Sequence, residues 1–258
     1  MSAAPPHTFT KHTDGSDPHF FAVEAAGLRW LAAAGAGAAR VVEVLEVGPD
    51  HLTLERLRPA RASRTAAEEF GRALARTHAA GAPAFGAPPA GWSGDGYIGR
   101  QPMTMRPAAR WGPFYAEQRL LPYARRARDR GNLSAGGVAL VDQVCARLDD
   151  GVFDDDQAPA RLHGDLWSGN VVWTADGVVL IDPAAHGGHP LTDLAMLALF
   201  GTPELAGVLT AYAAAADLDH GWQDLLGLHQ LHPLLVHAAS HGSAYGDEAE
   251  QVARRYAG

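Results

Sequence analysis

Between residues 163 and 183 the chain reads His163-Gly164-Asp165-Leu166-Trp167-Ser168-Gly169-Asn170, then two short apolar runs about Asp176-Gly177, then Ile181-Asp182-Pro183. No other segment constrains the fold as much. The runs Val171–Trp173 and Val178–Ile181, joined through an Asp-Gly turn, predict a tight β-hairpin. That hairpin fixes the separation of an amide, Asn170, from a carboxylate, Asp182, and a second carboxylate, Asp165, precedes Asn170 by five residues. Phosphoryl transfer asks for this set. One carboxylate accepts the proton of an attacking hydroxyl, while an amide oxygen and another carboxylate hold Mg²⁺ on nucleotide phosphates. A His-x-Asp triplet alone arises by chance in many chains. The D-x4-N spacing, the short hairpin and a hydrophobic strand ending in Asp make a specific signal.

Lysine usage supplies a second constraint. The 21 basic residues are all arginine except Lys11. A lone ammonium among guanidiniums raises the question of what a compact point charge does there. Lys11 lies in an extended stretch, Thr8 to His12, and Glu24 follows thirteen residues later in a predicted helix. In kinase-like sites a strand lysine binds phosphate and a helix glutamate orients it. The alternative for Glu24 is a solvated helix face.

The rest of the chain reads as a small β-containing part followed by a larger helical one. Apolar spacing predicts a helix from Pro18 to about Ala34. Strand-like runs Val41–Val47 and Leu52–Leu57 flank a Gly48-Pro49-Asp50 turn. Thr65 to Glu68 reads as a capping box opening a helix that ends near His78. Residues 81–113, rich in Gly and Pro, read as a long irregular loop of functional length. Helices are predicted over 113–130 and 134–150, loops over 161–170 and from Asp182 to Pro190, and a helical region over 192–257 interrupted near Pro203, Gly221 and Pro233. With 258 residues, 47% of them hydrophobic, the chain can build a core, and a net charge of −8 argues against nucleic-acid or anionic-membrane binding. No apolar run is long enough to span a bilayer and no signal peptide is visible, so the expectation is a soluble cytoplasmic protein. The single cysteine, Cys145, excludes an internal disulfide.

His163 to Asn170, followed by LIDPAAHGGHPLTDLAMLALFG and supported by FFAVEAAGLRWL, LTLERL, GYIGRQP and WGPFYAEQRLLP, resembles the fructosamine kinase (ketosamine-3-kinase) family. That family belongs to the aminoglycoside-phosphotransferase-like, protein-kinase-like superfamily, and the Trp-Ser after HGDL separates it from aminoglycoside and choline kinases. The resemblance covers nearly the whole chain from Lys11 onward. It implies an α+β, two-lobed protein-kinase-like fold, here divided as an N-terminal nucleotide-binding lobe over 1–58 and a catalytic lobe over 59–258. It implies ATP- and Mg²⁺-dependent phosphorylation of the ketose O3 of a ketosamine or glycated lysine, and hence deglycation. Carried over, Asp165 is the base, Asn170 and Asp182 the metal ligands, and Lys11 with Glu24 the phosphate-binding pair. Glu55 to Leu57 forms the hinge against adenine. His163 and Asp193 brace the catalytic loop. The irregular loop around Asp95 to Arg100, with Trp111, Arg119 and His189, borders the sugar, with ordinary packing at a lobe boundary as the alternative.

The sequence departs from the superfamily in one place: ten residues precede Lys11 and none is glycine, so the expectation is a reduced β-lobe without the glycine-rich hairpin that covers the phosphates, with a start placed too far downstream or poor ATP binding as the alternatives. Two other functions therefore stay open, a related small-molecule kinase of aminoglycoside-phosphotransferase type and a weak nucleotide-binding pseudokinase. A protein kinase is disfavoured, since ten residues between Asp182 and Asp193 leave no room for an activation segment. His229, His232, His237 and His241 read as packing or surface residues rather than metal ligands, because no carboxylate or cysteine accompanies them. His78 reads as helix packing, and Asp154 to Asp156 as a solvated loop.

Overall fold

A computed structural model describes residues 7–13, 17 and 19–258. The N-terminal lobe holds β1 (Thr8–His12), α1 (Phe20–Ala32), β2 (Arg40–Val41), β3 (Val44–Val47) and β4 (His51–Glu55). Antiparallel pairing in the order β1-β4-β3 makes a small three-stranded sheet. The predicted helix start at Pro18 lies outside the described residues. The single run predicted over Val41–Val47 divides between two sheets: β3 joins β4, whereas β2 pairs in parallel with a strand of the catalytic hairpin.

The second lobe continues with α2 (Arg64–Ala79), β5 (Gly96–Ile98), β6 (Gln101–Met103), α3 (Trp111–Phe114), α4 (Leu121–Asp129), α5 (Ala135–Asp149) and β7 (Ala160–Leu162). Then come β8 (Val171–Thr174), β9 (Gly177–Leu180), β10 (His186–Gly188), α6 (Leu191–Phe200), α7 (Leu205–Ala215), α8 (Leu226–His241) and α9 (Ser243–Tyr256). The hairpin predicted around Asp176-Gly177 is β8–β9, and β2 adds to its β9 edge.

Four local expectations are corrected. Ser63, not Thr65, caps α2, its Oγ accepting from Ala66 N, and Glu68 pairs with Arg64 one turn back. The loop expected over 81–113 contains the β5–β6 hairpin, whose three-residue strands are too short to show a period. The loops flanking the catalytic motif contain β7 and β10, which pair antiparallel. Pro233 does not interrupt α8. Its missing N–H would orphan the carbonyl one turn back, that of His229, and Tyr115 Oη donates to that carbonyl at 3.0 Å.

Two hydrophobic clusters fill the molecule. One lies around α4, α5, α8 and α9 and takes in Val23 of α1. The other crosses residue 58, joining Leu28 and Leu54 to Leu74, Leu166, Leu180 and Tyr212. Arg161 adds a tie, donating to Trp30 O at 2.6 Å with its guanidinium 4.7 Å from the Trp30 ring centroid.

Candidate active site

The catalytic loop is held from below by α6. Asp193, in that helix's first turn, is fully buried and accepts from the backbone N–H of His163 at 2.8 Å and of Gly164 at 2.9 Å. A third bond comes from His78 Nε2 at 3.1 Å, and Tyr212 Oη lies 2.7 Å from His78 Nδ1. Burial alone would raise Asp193, yet the His78 bond and charge and the backbone donors hold its carboxyl below the usual range. Burial keeps His163 neutral, which suits its two bonds: Nε2 donates to Ile181 O at 2.9 Å and Nδ1 accepts from Asp165 N.

Gly164 makes the sharp bend of the loop possible. Its φ of 81 is open to glycine, and a Cβ there would meet Ala184 O at 2.2 Å. The bend presents Asp165, whose carboxyl burial pushes up to about 6 against a hydrogen bond from Asn170. Asn170 Nδ2 donates to Asp165 O at 2.7 Å and Oδ2 at 3.1 Å. The amide nitrogen is thus turned to Asp165, leaving the amide oxygen for a hard cation.

At the other end of β9, Asp182 sits in the left-handed region with φ 55, a conformation a non-glycine residue holds only where its surroundings impose it. Lys11 Nζ reaches across from β1, donating to Asp182 Oδ1 and, at 2.6 Å, to Glu24 Oε1 of α1. Burial opposes the ammonium, but the two carboxylates outweigh it and raise its pKa.

Two cavities meet at this pair. One, of about 340 Å³, is walled by Phe9, Val42, Leu54, Leu57, Val172 and Ile181, and Glu55 also lines it. The Glu55 carboxylate itself is engaged by Arg40 Nη2 and Glu43 N. The other, of about 490 Å³, contains Asp165, Asn170 and Glu24 with an aromatic wall of Phe20, Tyr97 and Trp167. Lys11 and Asp182 line both.

The structure thus brings Lys11, Glu24, Asp165, Asn170 and Asp182 together, with Glu55 and Leu57 in the adjoining cavity and His163 and Asp193 beneath. A model of the fructosamine kinase family matches residues 2–257. The chain belongs to that family. It is 30% identical over 244 residues to a probable ketoamine kinase of Enterococcus faecium, covering 92% of this chain and 83% of the relative. The crystal structure of a putative fructosamine-3-kinase from Thermobifida fusca superposes with a TM-score of 0.88 at 48% identity, over 96% of this chain and 84% of the other. A choline/ethanolamine kinase family protein from Mesorhizobium loti shares the fold at 16% identity and a TM-score of 0.58, over 96% and 82% of the two chains. This fructosamine kinase family member is a phosphotransferase acting on a sugar-derived hydroxyl, with the two-lobed α+β architecture of a kinase. None of its described helices is long and apolar enough to cross a membrane.

Of the residues expected to border the sugar, Tyr97, Gly99 and Arg100 line the cavity, whereas Asp95, Trp111, Arg119 and His189 do not. Arg119 is buried, its Nη1 donating to Thr104 O and Gln118 O, with Phe114 against the guanidinium. Trp111 is buried between Tyr115 and His229. His189 packs on Trp111 and bonds Asp155 at 2.9 Å, so the acidic loop is tied down at Asp155 rather than wholly solvated. Asp95 closes the base of the β5–β6 hairpin by accepting from Met105 N. All four pack on or bond to neighbouring chain, although Trp111 Nε1 and Arg119 Nε and Nη2 are buried without a hydrogen-bond partner among the described residues. His229 and His232 are likewise fully buried, and no cluster of metal-ligating side chains occurs among the described residues.

Sequence reasoning passed over His12, Phe20 and Trp167 as site residues and gave His78 only packing. Trp167 had a signal, being a large apolar side chain inside a catalytic loop, and it is 42% exposed. His78 had none, because its partner Asp193 lies 115 residues away.

Proposed function

We propose that the protein transfers the γ-phosphoryl group of ATP to the O3 hydroxyl of a ketosamine, with Asp165 as base. The observation that carries this is the sharing of Lys11 and Asp182 between an apolar cavity and a polar one that contains Asp165. A purine fits the apolar cavity, where the Glu55 carbonyl and Leu57 N–H would meet its polar edge. The phosphates then fall at Lys11, and the acceptor lies on the Asp165 side.

The residues present suit a divalent metal, since Asn170 and Asp182 offer an amide oxygen and a carboxylate, both hard donors. When bound, that ion neutralises charge on the phosphates. Lys11, held by Glu24, binds phosphate oxygens. Asp165 accepts the O3 proton as the O3–phosphorus bond forms and the bond to ADP breaks. A carboxyl near pH 6 is better matched to that proton than an ordinary aspartate. Phosphate at O3 is a leaving group allylic to the 1,2-enaminol of the product. Its elimination as inorganic phosphate leaves an imine of a 3-deoxydicarbonyl, which water hydrolyses to free the amine, and this supports a role in deglycation.

The test is ADP release with ATP, Mg²⁺ and ribulosyl-lysine, comparing wild type with Asp165→Asn. Turnover lost in the variant supports the reading. ATP binding without turnover would move the acceptor to another hydroxyl compound, and absence of ATP binding would refute the kinase assignment.

A further inference from the structure

Arg100 occupies the two-residue turn between β5 and β6, after Gly99 with φ 55, and lines the acceptor cavity. The cavity's other fixed cation, Lys11, is matched by two carboxylates. Arg100 is exposed and makes no hydrogen bond or ion pair with any described residue. Nor does it line the adenine-side cavity. Nucleotide phosphates are located by Lys11 and Asp182, at the boundary the two cavities share, whereas Arg100 stands only on the far side of that boundary. A guanidinium that answers no described carboxylate is set to take a planar anion from a ligand, which it can hold with two parallel bonds.

We propose that Arg100 binds the carboxylate of the acceptor, so that the preferred substrate is a free glycated amino acid rather than a glycated protein side chain. This rests on the ketosamine kinase reading. A ketosamine made from a free amino acid carries a secondary ammonium and, next to it, a carboxylate. The cavity offers both complements, with Glu24 and Asp165 for the cation and Arg100 for the anion. A lysine side chain glycated within a protein brings the ammonium but no neighbouring carboxylate, and leaves Arg100 without a partner.

Fructosyl-glycine and fructosyl-glycinamide have the same shape and differ in charge at the group in question. The experiment measures kcat/KM for both, and KM for ATP, in wild type, Arg100→Gln and Arg100→Lys. Wild type is expected to favour fructosyl-glycine roughly 10- to 100-fold, the worth of a charge-assisted pair. Arg100→Gln brings the ratio toward one with KM for ATP holding, and Arg100→Lys keeps part of it. Wild type treating the two alike overturns the proposal. So does a variant that lowers both substrates equally while raising KM for ATP, which would place Arg100 on the phosphates. Turnover of ribulosyl-lysine but of neither adduct also overturns it, whereas turnover of none of the three, with ATP binding intact, removes the ketosamine reading itself.

Discussion

Replacing Gly164 by alanine tests whether the catalytic loop's position depends on one close approach, and Gly131→Ala supplies the comparison. Both glycines have positive φ, 81 and 72, so both variants carry the cost of a side chain in the left-handed region, about 1 kcal/mol. They differ in what the new Cβ meets. At Gly131 there is nothing within 4 Å, while at Gly164 it would lie 2.2 Å from Ala184 O and 2.9 Å from Ala184 C. These are backbone atoms, so rotamer change gives no relief, and overpacking adds about 1–3 kcal/mol. Gly131→Ala should therefore lower stability by about 1 kcal/mol and Gly164→Ala by about 2–4 kcal/mol. In a chain of this size that corresponds to roughly 2–4 °C and 5–15 °C in Tm. Opening the contact to 3.0 Å requires a displacement near 0.8 Å beside Asp165. Misplacement on that scale costs about 100-fold in rate. Thermal melts and ADP-release kinetics on both variants check this. Equal melting losses, or a Gly164→Ala enzyme with wild-type kcat, would refute the argument that the Ala184 contact sets the loop.

Four further outcomes follow from the same site. Asp165→Asn should lose about 10²–10⁴-fold in kcat. It should also gain stability: a carboxyl raised by burial to about 6 weakens the fold as pH climbs from about 4 through 6, so the variant's advantage in Tm is absent near pH 4 and full above pH 6. The same raised carboxyl makes wild-type kcat/KM fall tenfold per pH unit below about 6, measured as a pH–rate profile. His78→Ala removes one partner of a buried carboxylate and should cost about 3 kcal/mol in urea melts. Because Asp193 is held below its ordinary value, the stability it contributes is present above about pH 4 and is lost on acidification, so the gap between variant and wild type narrows there. Lys11→Arg should raise KM for ATP about tenfold or more in steady-state kinetics, since a planar fork cannot replace a compact ammonium held between Glu24 and Asp182.

Residues 163–183 were legible because their chemistry and spacing are local: the Asp-Gly turn dictates the hairpin, and the hairpin carries Asn170 and Asp182 at its two ends. Lys11 was legible through its rarity and Glu24 through its place in the helix that follows, and the two are in contact. What escaped depends on distant partners. β7 and β10 are three residues each and acquire strand character only from one another. Pro233 stays helical because a tyrosine from another helical segment bonds the freed carbonyl. Trp111, Arg119 and His189 carry side chains common at sugar sites, but nothing local tells an aromatic that faces a cavity from one stacked in the interior. Arg119 in particular is about 1% exposed, an unusual depth for a guanidinium and one no sequence period signals.

The parallel ladder between β2 and β9 couples the small lobe directly to the strand that ends in Asp182. Val42 N extends it, donating to Leu180 O at 2.9 Å. Enzymes of two lobes commonly open and close about a flexible junction, and that freedom is where switches act. Here a rotation that carries β2 with the small lobe would have to strip hydrogen bonds from the catalytic hairpin itself. Any such swing must therefore break this ladder or leave β2 behind on the hairpin, with the chain between β2 and β3 as the place that bends.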